Sequence, residues 1–221
     1  MRVVDAVKWI HCFTLENREN RRKSWLLLGK GPSSDQLASL PPEKYHILSL
    51  NHACKLTRPT LAHFIDIEAF RDCAEYLLEN NIPVVMPWYP HINMRSSRIS
   101  LQEWCNTFRK DARAILLEMA SNGKLLSYNS TLAHRLPRHP DLTLIPVRYF
   151  SATAGFNLLV YAGLRKVYTL GVDGGTAYGS SFDSKDQLAN GRDSFDIQFT
   201  AMNATCRAFG ARYISLANPS G

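Results

Sequence analysis

Residues 151–175 read SATAGFNLLVYAGLRKVYTLGVDGG, and this stretch decides the fold. Its first half has the composition of a buried helix that begins at Ser151. Lys166–Leu170 then predicts a strand, and this strand delivers Asp173 and Gly174 to its carboxyl end. In open α/β sheets, ligands bind outside the carboxyl ends of the strands. The stretch therefore indicates both a strand–helix architecture and the edge at which a ligand would bind.

The helix start in this stretch has the pattern Ser151-x-Thr153-x-Gly155. Hydroxyls and backbone N–H groups converge there at the positive end of the helix dipole, which favours an anionic ligand. N-capping alone would explain either hydroxyl residue. The pattern gains weight from other polar segments that follow predicted strands.

Short apolar runs alternate with longer helical patterns along the chain, which is typical of an α/β fold with a mostly parallel sheet and helices on both faces. The predicted strands are Trp25–Leu28, His46–Leu50, Ala62–Asp66, Ile82–Met86, Lys124–Ser127, Leu142–Ile145, Lys166–Leu170 and Arg212–Leu216. Apolar spacing predicts helices over Ala69–Asn80, Leu101–Ser121 and Phe195–Phe209, with Gly123 and Gly210 just past two helix ends.

Two long loops interrupt this alternation, Pro87–Ser100 and Gly174–Asp193. Long loops in a compact domain usually belong to the functional site, and we interpret the second, at about 174–193, as a lid. We divide the chain into an N-terminal basic segment, 1–24, and a catalytic domain, 25–221.

The composition narrows the class of partner. The 221 residues carry a formal net charge of +7, which favours an anionic partner. Only Arg18–Lys23 forms a basic cluster, and no aromatic RNA-binding pattern accompanies it, so we expect no nucleic-acid partner. The five cysteines stand singly, which argues against a disulfide framework and a thiolate zinc site. No apolar run approaches the ~20 residues that span a bilayer, and we expect a cytoplasmic protein.

A Gly-x-Gly-Pro-Ser turn follows the first strand, at Gly29, Gly31, Pro32 and Ser33. Glycine lets the backbone turn sharply and approach a ligand closely. The turn is neither a dinucleotide fingerprint nor a phosphate-binding Walker loop. Taken alone, it is equally consistent with a tight strand-to-helix connection.

Two further strands end in polar residues. Asn51 and His52 follow His46–Leu50, where an amide could hold a base, a ribose or a sugar hydroxyl. Asp66 and Glu68 follow the next strand, although Glu68 is also explained as the start of a helix.

Taken in order, these segments resemble the Rossmann-like bacterial sialyltransferases and their relatives, the motility-accessory-factor glycosyltransferases with a pterin-diphosphokinase-like domain. The resemblance runs from about Trp25 to Asn218. It implies that Gly29, Gly31, Pro32, Ser33 and Asn51 hold a CMP donor and that Ser151, Thr153 and Gly155 contact the nucleotide. It also implies that the loop from Asp173 and Gly174 to Phe182 covers donor phosphate and sugar, with Tyr178 and Ser180 as phosphate contacts. The family needs no metal and no cofactor.

The chain departs from this family at the catalytic base. The sialyltransferases place a histidine in the loop after the last motif, whereas the last histidine here is His139. Inverting transfer still needs a group that takes the acceptor's proton. We rank Asp193 first and Asp173 second, with His52 and His91 as the next candidates. Asp193 and Asp196 are equally well explained as caps of the last helix.

We expect an inverting, metal-independent glycosyltransferase that uses a CMP-linked acid such as a sialic acid or Kdo to build a bacterial surface glycan. Its partners would be the nucleotide-sugar donor and a glycan or glycolipid acceptor. The sequence leaves open a peripheral contact with the inner membrane and a homo-oligomer. Two alternatives are a Mg²⁺-dependent pterin-diphosphokinase-like enzyme and a non-catalytic nucleotide-sugar-binding module.

Overall fold

A computed structural model describes residues 1–93, 95–107, 111–148, 150–182 and 194–217. Its strands are β1 (Val4–Asp5), β2 (Ser24–Leu28), β3 (Tyr45–Leu50), β4 (Leu61–His63), β5 (Val84–Pro87), β6 (His91–Ile92), β7 (Arg95–Ser96), β8 (Leu125–Ser130), β9 (Leu144–Ile145), β10 (Lys166–Leu170) and β11 (Arg212–Ser215). Its α-helices are α1 (Ala6–Leu15), α2 (Arg18–Arg22), α3 (Ile67–Arg71), α4 (Ala74–Glu79), α5 (Leu101–Thr107), α6 (Asp111–Ser121), α7 (Ser151–Tyr161) and α8 (Ile197–Phe209). Four short 3-10 helices, Pro32–Ser39, Pro42–Lys44, Asn51–Lys55 and Thr131–Ala133, follow or precede strands.

The central sheet has nine strands in the order β1-β8-β5-β4-β3-β2-β10-β11, and β9 pairs with β8 beyond the residues that pair with β1. Every pairing in this sheet is parallel. The strands β6 and β7 form a separate antiparallel hairpin. The predicted Rossmann-like α/β architecture is confirmed.

Successive side chains of each strand point to opposite faces of the sheet. Leu48 and Leu50 of β3 point to the face that α1, α7 and α8 cover, and Ile47 points to the other face. The second face is covered by α3 to α6 over one half of the sheet and by the 3-10 helices after β2 and β3 over the other half. Because both faces are buried, the strands have the continuous apolar runs that the sequence shows.

Residues 1–24, which the sequence analysis separated as a basic segment, contribute to this same core. β1 pairs with the edge strand β8, and Ala6, Val7 and Ile10 of α1 are buried against the sheet. The Asp5 side chain caps α1 by accepting the Lys8 N–H at 2.8 Å. The weak apolar pattern of the N-terminus therefore belongs to an amphipathic helix of the sheet's cover.

Several predicted boundaries differ from the structure. The helix predicted over Ala69–Asn80 is two helices, α3 and α4, because the regular pattern is interrupted at Cys73, where φ is −115° and the N–H donates to the carbonyl of Phe70, three residues back. Both halves bury their apolar residues in one cluster, so the spacing concealed the break. The helix predicted over Leu101–Ser121 corresponds to α5 and α6, between which residues 108–110 are not described.

Some other element boundaries differ from the prediction by two residues. β5 begins at Val84 rather than Ile82, since Pro83 has no N–H to donate to a neighbouring strand. The last helix begins at Ile197, two residues later than predicted. Gly123 and Gly210 confirm the predicted helix ends, because both adopt positive φ, 69° and 60°. All five cysteines are free thiols.

Candidate functional site

The sheet has a topological switch point between β2 and β10. These neighbouring strands continue in opposite directions, β2 to β3 on one side and β10 to β11 on the other. The loops that follow them therefore separate and leave a crevice at the carboxyl edge of the sheet. Doubly wound α/β proteins bind their ligands in this crevice.

The backbones of the two loops touch at Gly29 and Gly171. A side chain at Gly29 would overlap the Gly171 carbonyl oxygen, and Gly171 itself has a φ of 67°. The Gly29 N–H donates to the Leu170 carbonyl at 2.8 Å, and the Gly31 N–H donates to the Gly171 carbonyl at 2.8 Å. The two glycines are therefore required by close contact between the loops.

Asp173 connects the loop after β10 to the Gly-Pro-Ser turn after β2. Its carboxylate accepts the Ser33 N–H at 2.7 Å and the Ser33 hydroxyl at 2.5 Å. The Ser33 hydroxyl in turn accepts the Gly171 N–H at 2.7 Å. A side chain at Gly31 would lie 2.5 Å from the carboxylate, so the turn needs glycine there. In this arrangement Asp173, although exposed, positions the turn that begins at Pro32.

The described part of the predicted lid lies against this same turn. The Gly179 N–H donates to the Lys30 carbonyl at 2.8 Å, and the Ser180 N–H donates to both oxygens of Asp35 at 2.9 and 3.0 Å. The Lys30 ammonium lies 4.5 Å from the centre of the Tyr178 ring. The hydroxyl of Ser180 is on an exposed residue beside this contact.

The start of α7 meets the end of β3 at the same edge. Asn51, with a φ of 50°, directs its side-chain amide to the Ser151 hydroxyl at 3.4 Å. The residue before α7, Phe150, provides no side-chain cap, so the first-turn N–H groups are not satisfied by a capping side chain. Thr153 is 1% exposed, and its hydroxyl has no partner among the described residues.

Gly155 is a buried residue of α7 that faces the sheet. A side chain there would lie 2.7 Å from Leu27 and 3.0 Å from Leu50. These leucines lie on β2 and β3, so the glycine permits α7 to pack closely on the sheet. Packing alone thus requires glycine at position 155, and the nucleotide contact that the resemblance implies stays a prediction.

Buried polar atoms without a partner concentrate at this carboxyl edge. Such atoms are rare in folded proteins because each costs about 1–3 kcal/mol. Within the described part of the chain they are Ser34 Oγ, Asn51 Oδ1, His52 Nδ1, His63 Nδ1, Glu68 Oε2, Thr153 Oγ1 and Asn157 Oδ1. Each belongs to the end of a strand, to the segment that follows it, or to the first two turns of α7.

Three histidines lie along this edge. His63 is fully buried and contacts the Tyr128 hydroxyl at 2.9 Å, and burial lowers its pKa to about 3. His52 contacts Asp72 at 3.3 Å through Nε2. His91 contacts Asp66 at 3.3 Å through Nδ1.

Asp196, in the loop before α8, is already hydrogen-bonded. Asp196 accepts hydrogen bonds from the Ser194 hydroxyl and the Gly175 N–H, and these bonds lower the pKa of its carboxyl. A side chain at Gly174 would overlap the same carboxylate. Although Asp196 immediately precedes α8, its side chain makes no capping hydrogen bond to that helix. Asp193, the first-ranked base, lies outside the described residues.

The basic cluster lies at the opposite, amino edge of the sheet. Arg22 and Lys23 immediately precede β2 and line a groove with Lys44, Tyr45 and Tyr168. Lys23 pairs with Glu19 at 2.8 Å. This cluster therefore cannot contribute contacts to the crevice at the carboxyl edge.

Across the described ranges, no group of three or more histidine, cysteine, aspartate or glutamate side chains is arranged to hold a metal ion. Within the same ranges, no helix combines the length and apolar character needed to cross a bilayer.

No protein-family model matches the chain, and no curated protein matches it. Among solved structures, the fold is similar to the sialyltransferase CST-II in complex with a trisaccharide acceptor and CMP, with a TM-score of 0.51 and 14% identity over 90% of this chain and 82% of that one. It is also similar to the sialyltransferase CstII from Campylobacter jejuni in complex with cytidine-5'-monophosphate, with a TM-score of 0.50 and 13% identity over 90% and 81% of the two chains. At this identity the similarity defines a class of fold, the Rossmann-like α/β sheet of the sialyltransferases.

Proposed function

We propose that this protein is a glycosyltransferase that binds a nucleotide-activated sugar at the carboxyl edge of its sheet. One observation carries the proposal: the unpartnered buried polar atoms lie at the edge that also holds the switch point. Orphaned groups of this kind are explained if a polar ligand completes their hydrogen bonds. The similarity of fold to proteins solved with CMP supports a nucleotide as that ligand.

The start of α7 would hold the donor phosphate. Its uncapped first-turn N–H groups carry the positive end of the helix dipole, which attracts an anion. The Ser151 and Thr153 hydroxyls stand in this turn, and the unpartnered Thr153 hydroxyl supplies a further donor. The carbonyl of the Asn51 side chain is the matching acceptor for an amino or hydroxyl group of the nucleoside.

The Gly-Pro-Ser turn would form the opposite wall. The hydrogen bonds between Ser33 and Asp173 preorganise Gly29 to Ser33 against the loop after β10. Tyr178 and Ser180, on the loop that folds onto this turn, would then lie over the phosphate or sugar. Binding energy in a preorganised site is not spent on ordering the loops.

The reaction would be an inverting transfer without a metal. An acceptor hydroxyl attacks the anomeric carbon while the bond from that carbon to the phosphate oxygen breaks, and the nucleotide leaves as the anion. The α7 dipole stabilises the charge that develops on the leaving phosphate. A donor that is itself an acidic sugar linked to CMP fits the net charge of +7.

The first test is a thermal-shift series with CMP, UDP, GDP and ATP, with and without Mg²⁺. We expect CMP to raise the melting temperature most, independently of Mg²⁺. CMP release from CMP-N-acetylneuraminic acid or CMP-Kdo should then persist in EDTA. Activity that is lost in EDTA and restored by Mg²⁺ would support a diphosphokinase-like enzyme. CMP binding without turnover of any donor would support a non-catalytic module.

A further inference from the structure

Asp66, His91 and Ser96 form a linear arrangement above the ends of β4 and β5. Asp66 Oδ1 lies 3.3 Å from His91 Nδ1, and the Ser96 hydroxyl lies 3.3 Å from His91 Nε2. The His91 side chain is 17% exposed and that of Asp66 24% exposed, whereas Ser96 is exposed. A histidine oriented by a carboxylate and facing a hydroxyl is the geometry in which imidazole acts as a base.

The arrangement also defines the proton positions. A carboxylate can only accept hydrogen bonds, so the proton of neutral His91 is favoured on Nδ1, beside Asp66. Nε2 then carries a lone pair, and the Ser96 hydroxyl is its donor. Ser96 therefore occupies the place that an incoming hydroxyl would take.

Other contacts already attach the hairpin β6–β7 to the sheet. The His91 N–H donates to the Ile65 carbonyl at 2.8 Å, and the Asn93 N–H donates to Glu68 at 2.9 Å. The backbones of Asp66 and His91 also form a parallel bridge. Because these backbone contacts attach the hairpin to the sheet, the hydrogen bonds among the Asp66, His91 and Ser96 side chains are not needed for that purpose.

The arrangement faces the same edge as the proposed donor site. β3, which ends at Asn51, is next to β4, and β4 is next to β5. Strands lie ~4.8 Å apart, so Asp66 and His91 stand one or two strand spacings from Asn51. The Asp66 carboxylate also acts on Tyr128, whose pKa is raised by burial and by this charge. Tyr128 is buried on the face of the sheet that α7 covers, whereas Ile92 of the hairpin packs on the cluster of the opposite face.

We propose that His91 is the general base of the transfer and that Asp66 is its positioning residue. The inference rests on the proposed glycosyltransferase function. His91 Nε2 takes the proton of the acceptor hydroxyl as the new bond from its oxygen to the anomeric carbon forms. The bond from that carbon to the phosphate oxygen breaks, its electron pair leaves with CMP, and His91 later returns the proton to solvent.

The other candidates that the structure describes are less suited to this step. The two oxygens of Asp173 accept hydrogen bonds from Ser33. Asp196 is held by Ser194 and Gly175. The free nitrogen of His52, Nδ1, is buried and thus closed to an acceptor. His91 combines a carboxylate on one nitrogen with a hydroxyl on the other.

The test compares CMP binding with CMP release from CMP-N-acetylneuraminic acid and from CMP-Kdo, with water as the acceptor. We expect His91→Gln to lower kcat by ~10²–10⁴-fold and to leave CMP affinity nearly unchanged. Asp66→Asn should also lower kcat, with partial recovery in Asp66→Glu. Ser96→Ala removes the hydroxyl that competes for Nε2 and should not reduce turnover as His91→Gln does. His11→Gln is the matched control, because His11 lies on α1 and contacts a backbone carbonyl.

The other results distinguish a failure of the proposed function from a failure of the base assignment. If wild type neither binds CMP nor releases it from either donor, the proposed function fails and this inference fails with it. If wild type turns over and His91→Gln equals it, only the base assignment is overturned. An equal loss in Ser96→Ala would indicate a serine nucleophile and also overturn it. If His91→Gln folds poorly, the test uses His91→Ala with imidazole added to the assay. Added imidazole should restore part of the turnover if His91 is the base, and no restoration would contradict the proposal.

Discussion

Asp173 and Ser33, which are 140 residues apart in the chain, form two hydrogen bonds that connect the loops on either side of the switch point. The Ser33 hydroxyl also accepts the Gly171 N–H, so one side chain of the turn after β2 bonds two groups of the loop after β10. The connection gives the crevice a defined wall before any ligand binds. It also explains why a strand-end carboxylate and a Gly-Pro-Ser turn occur together in this chain.

Ser33→Ala should destabilise the protein by about 1–3 kcal/mol, because the buried Gly171 N–H loses its acceptor. Urea unfolding measures this loss. Ser39→Ala is the control, since the exposed Ser39 hydroxyl only donates to the Gln36 carbonyl of its own 3-10 helix. Equal stabilities of the two variants would contradict a structural role for the Ser33 hydroxyl.

Asp173→Asn should weaken CMP binding more than it lowers kcat, because the carboxylate organises the turn instead of moving a proton. Nucleotide affinity and kcat measured on the same preparation separate the two effects. A loss of kcat with unchanged affinity would instead assign Asp173 as the base.

Thr153→Val replaces a buried hydroxyl without a partner by a methyl group of similar size. Unfolding free energy should hold or rise, because an unsatisfied group is removed. CMP affinity should fall by about 10- to 100-fold if the hydroxyl donates to the phosphate, since such bonds contribute about 1.5–3 kcal/mol. Thr205→Val makes the same change in α8, where the hydroxyl donates to the Ala201 carbonyl, and should not alter affinity. Unchanged affinity in both variants would remove Thr153 from the site.

Gly155→Ala should destabilise the fold by about 1–3 kcal/mol through overpacking against Leu27 and Leu50. The folded fraction should keep the CMP affinity of the wild type. Thermal unfolding and calorimetric titration test the two statements separately. Lost affinity in a variant of wild-type stability would restore Gly155 to the ligand site.

His63 should make the protein less stable in mild acid. Its pKa falls from 6.5 to about 3 on folding, so the unfolded chain binds the proton more readily. The contribution of neutral His63 to the free energy of unfolding is fully present above pH 6.5. It should decrease by ~1.4 kcal/mol per pH unit as the pH falls toward the folded pKa. Burial lowers the pKa of His46 as well, so the wild type must be compared with His63→Gln. Parallel pH profiles for the two proteins would contradict the buried neutral state of His63.

The sequence predicts the sheet better than it predicts the contacts within the site. Continuous apolar runs such as Trp25–Leu28 define parallel strands, and polar residues after them mark the ligand edge. The helix α1 has only a weak apolar pattern, and its place is determined by packing against α7 and β8. Gly155 shows why a motif is ambiguous. A glycine is needed wherever a side chain would collide, whether with a bound ligand or with packed leucines such as Leu27 and Leu50.

The Asp66–His91–Ser96 arrangement could be anticipated only in part. His91 and Ser96 lie on two-residue strands inside a polar loop, where no periodicity indicates a hairpin. Their approach to Asp66 depends on the register of a parallel sheet, which single residues do not specify. The sequence could therefore name Asp66, His91 and the edge, whereas Ser96 and the pairings needed the fold.

The most direct measurement is an NMR titration of the isotopically labelled protein with CMP, which maps the nucleotide onto the backbone amides. The account predicts shifts at Ser151 to Thr153, around Asn51 and across Gly31 to Ser33, all at the carboxyl edge. The basic groove at the amino edge, lined by Arg22, Lys44 and Tyr168, is the internal comparison. Shifts confined to that groove, or none at saturating CMP, would contradict the proposed site.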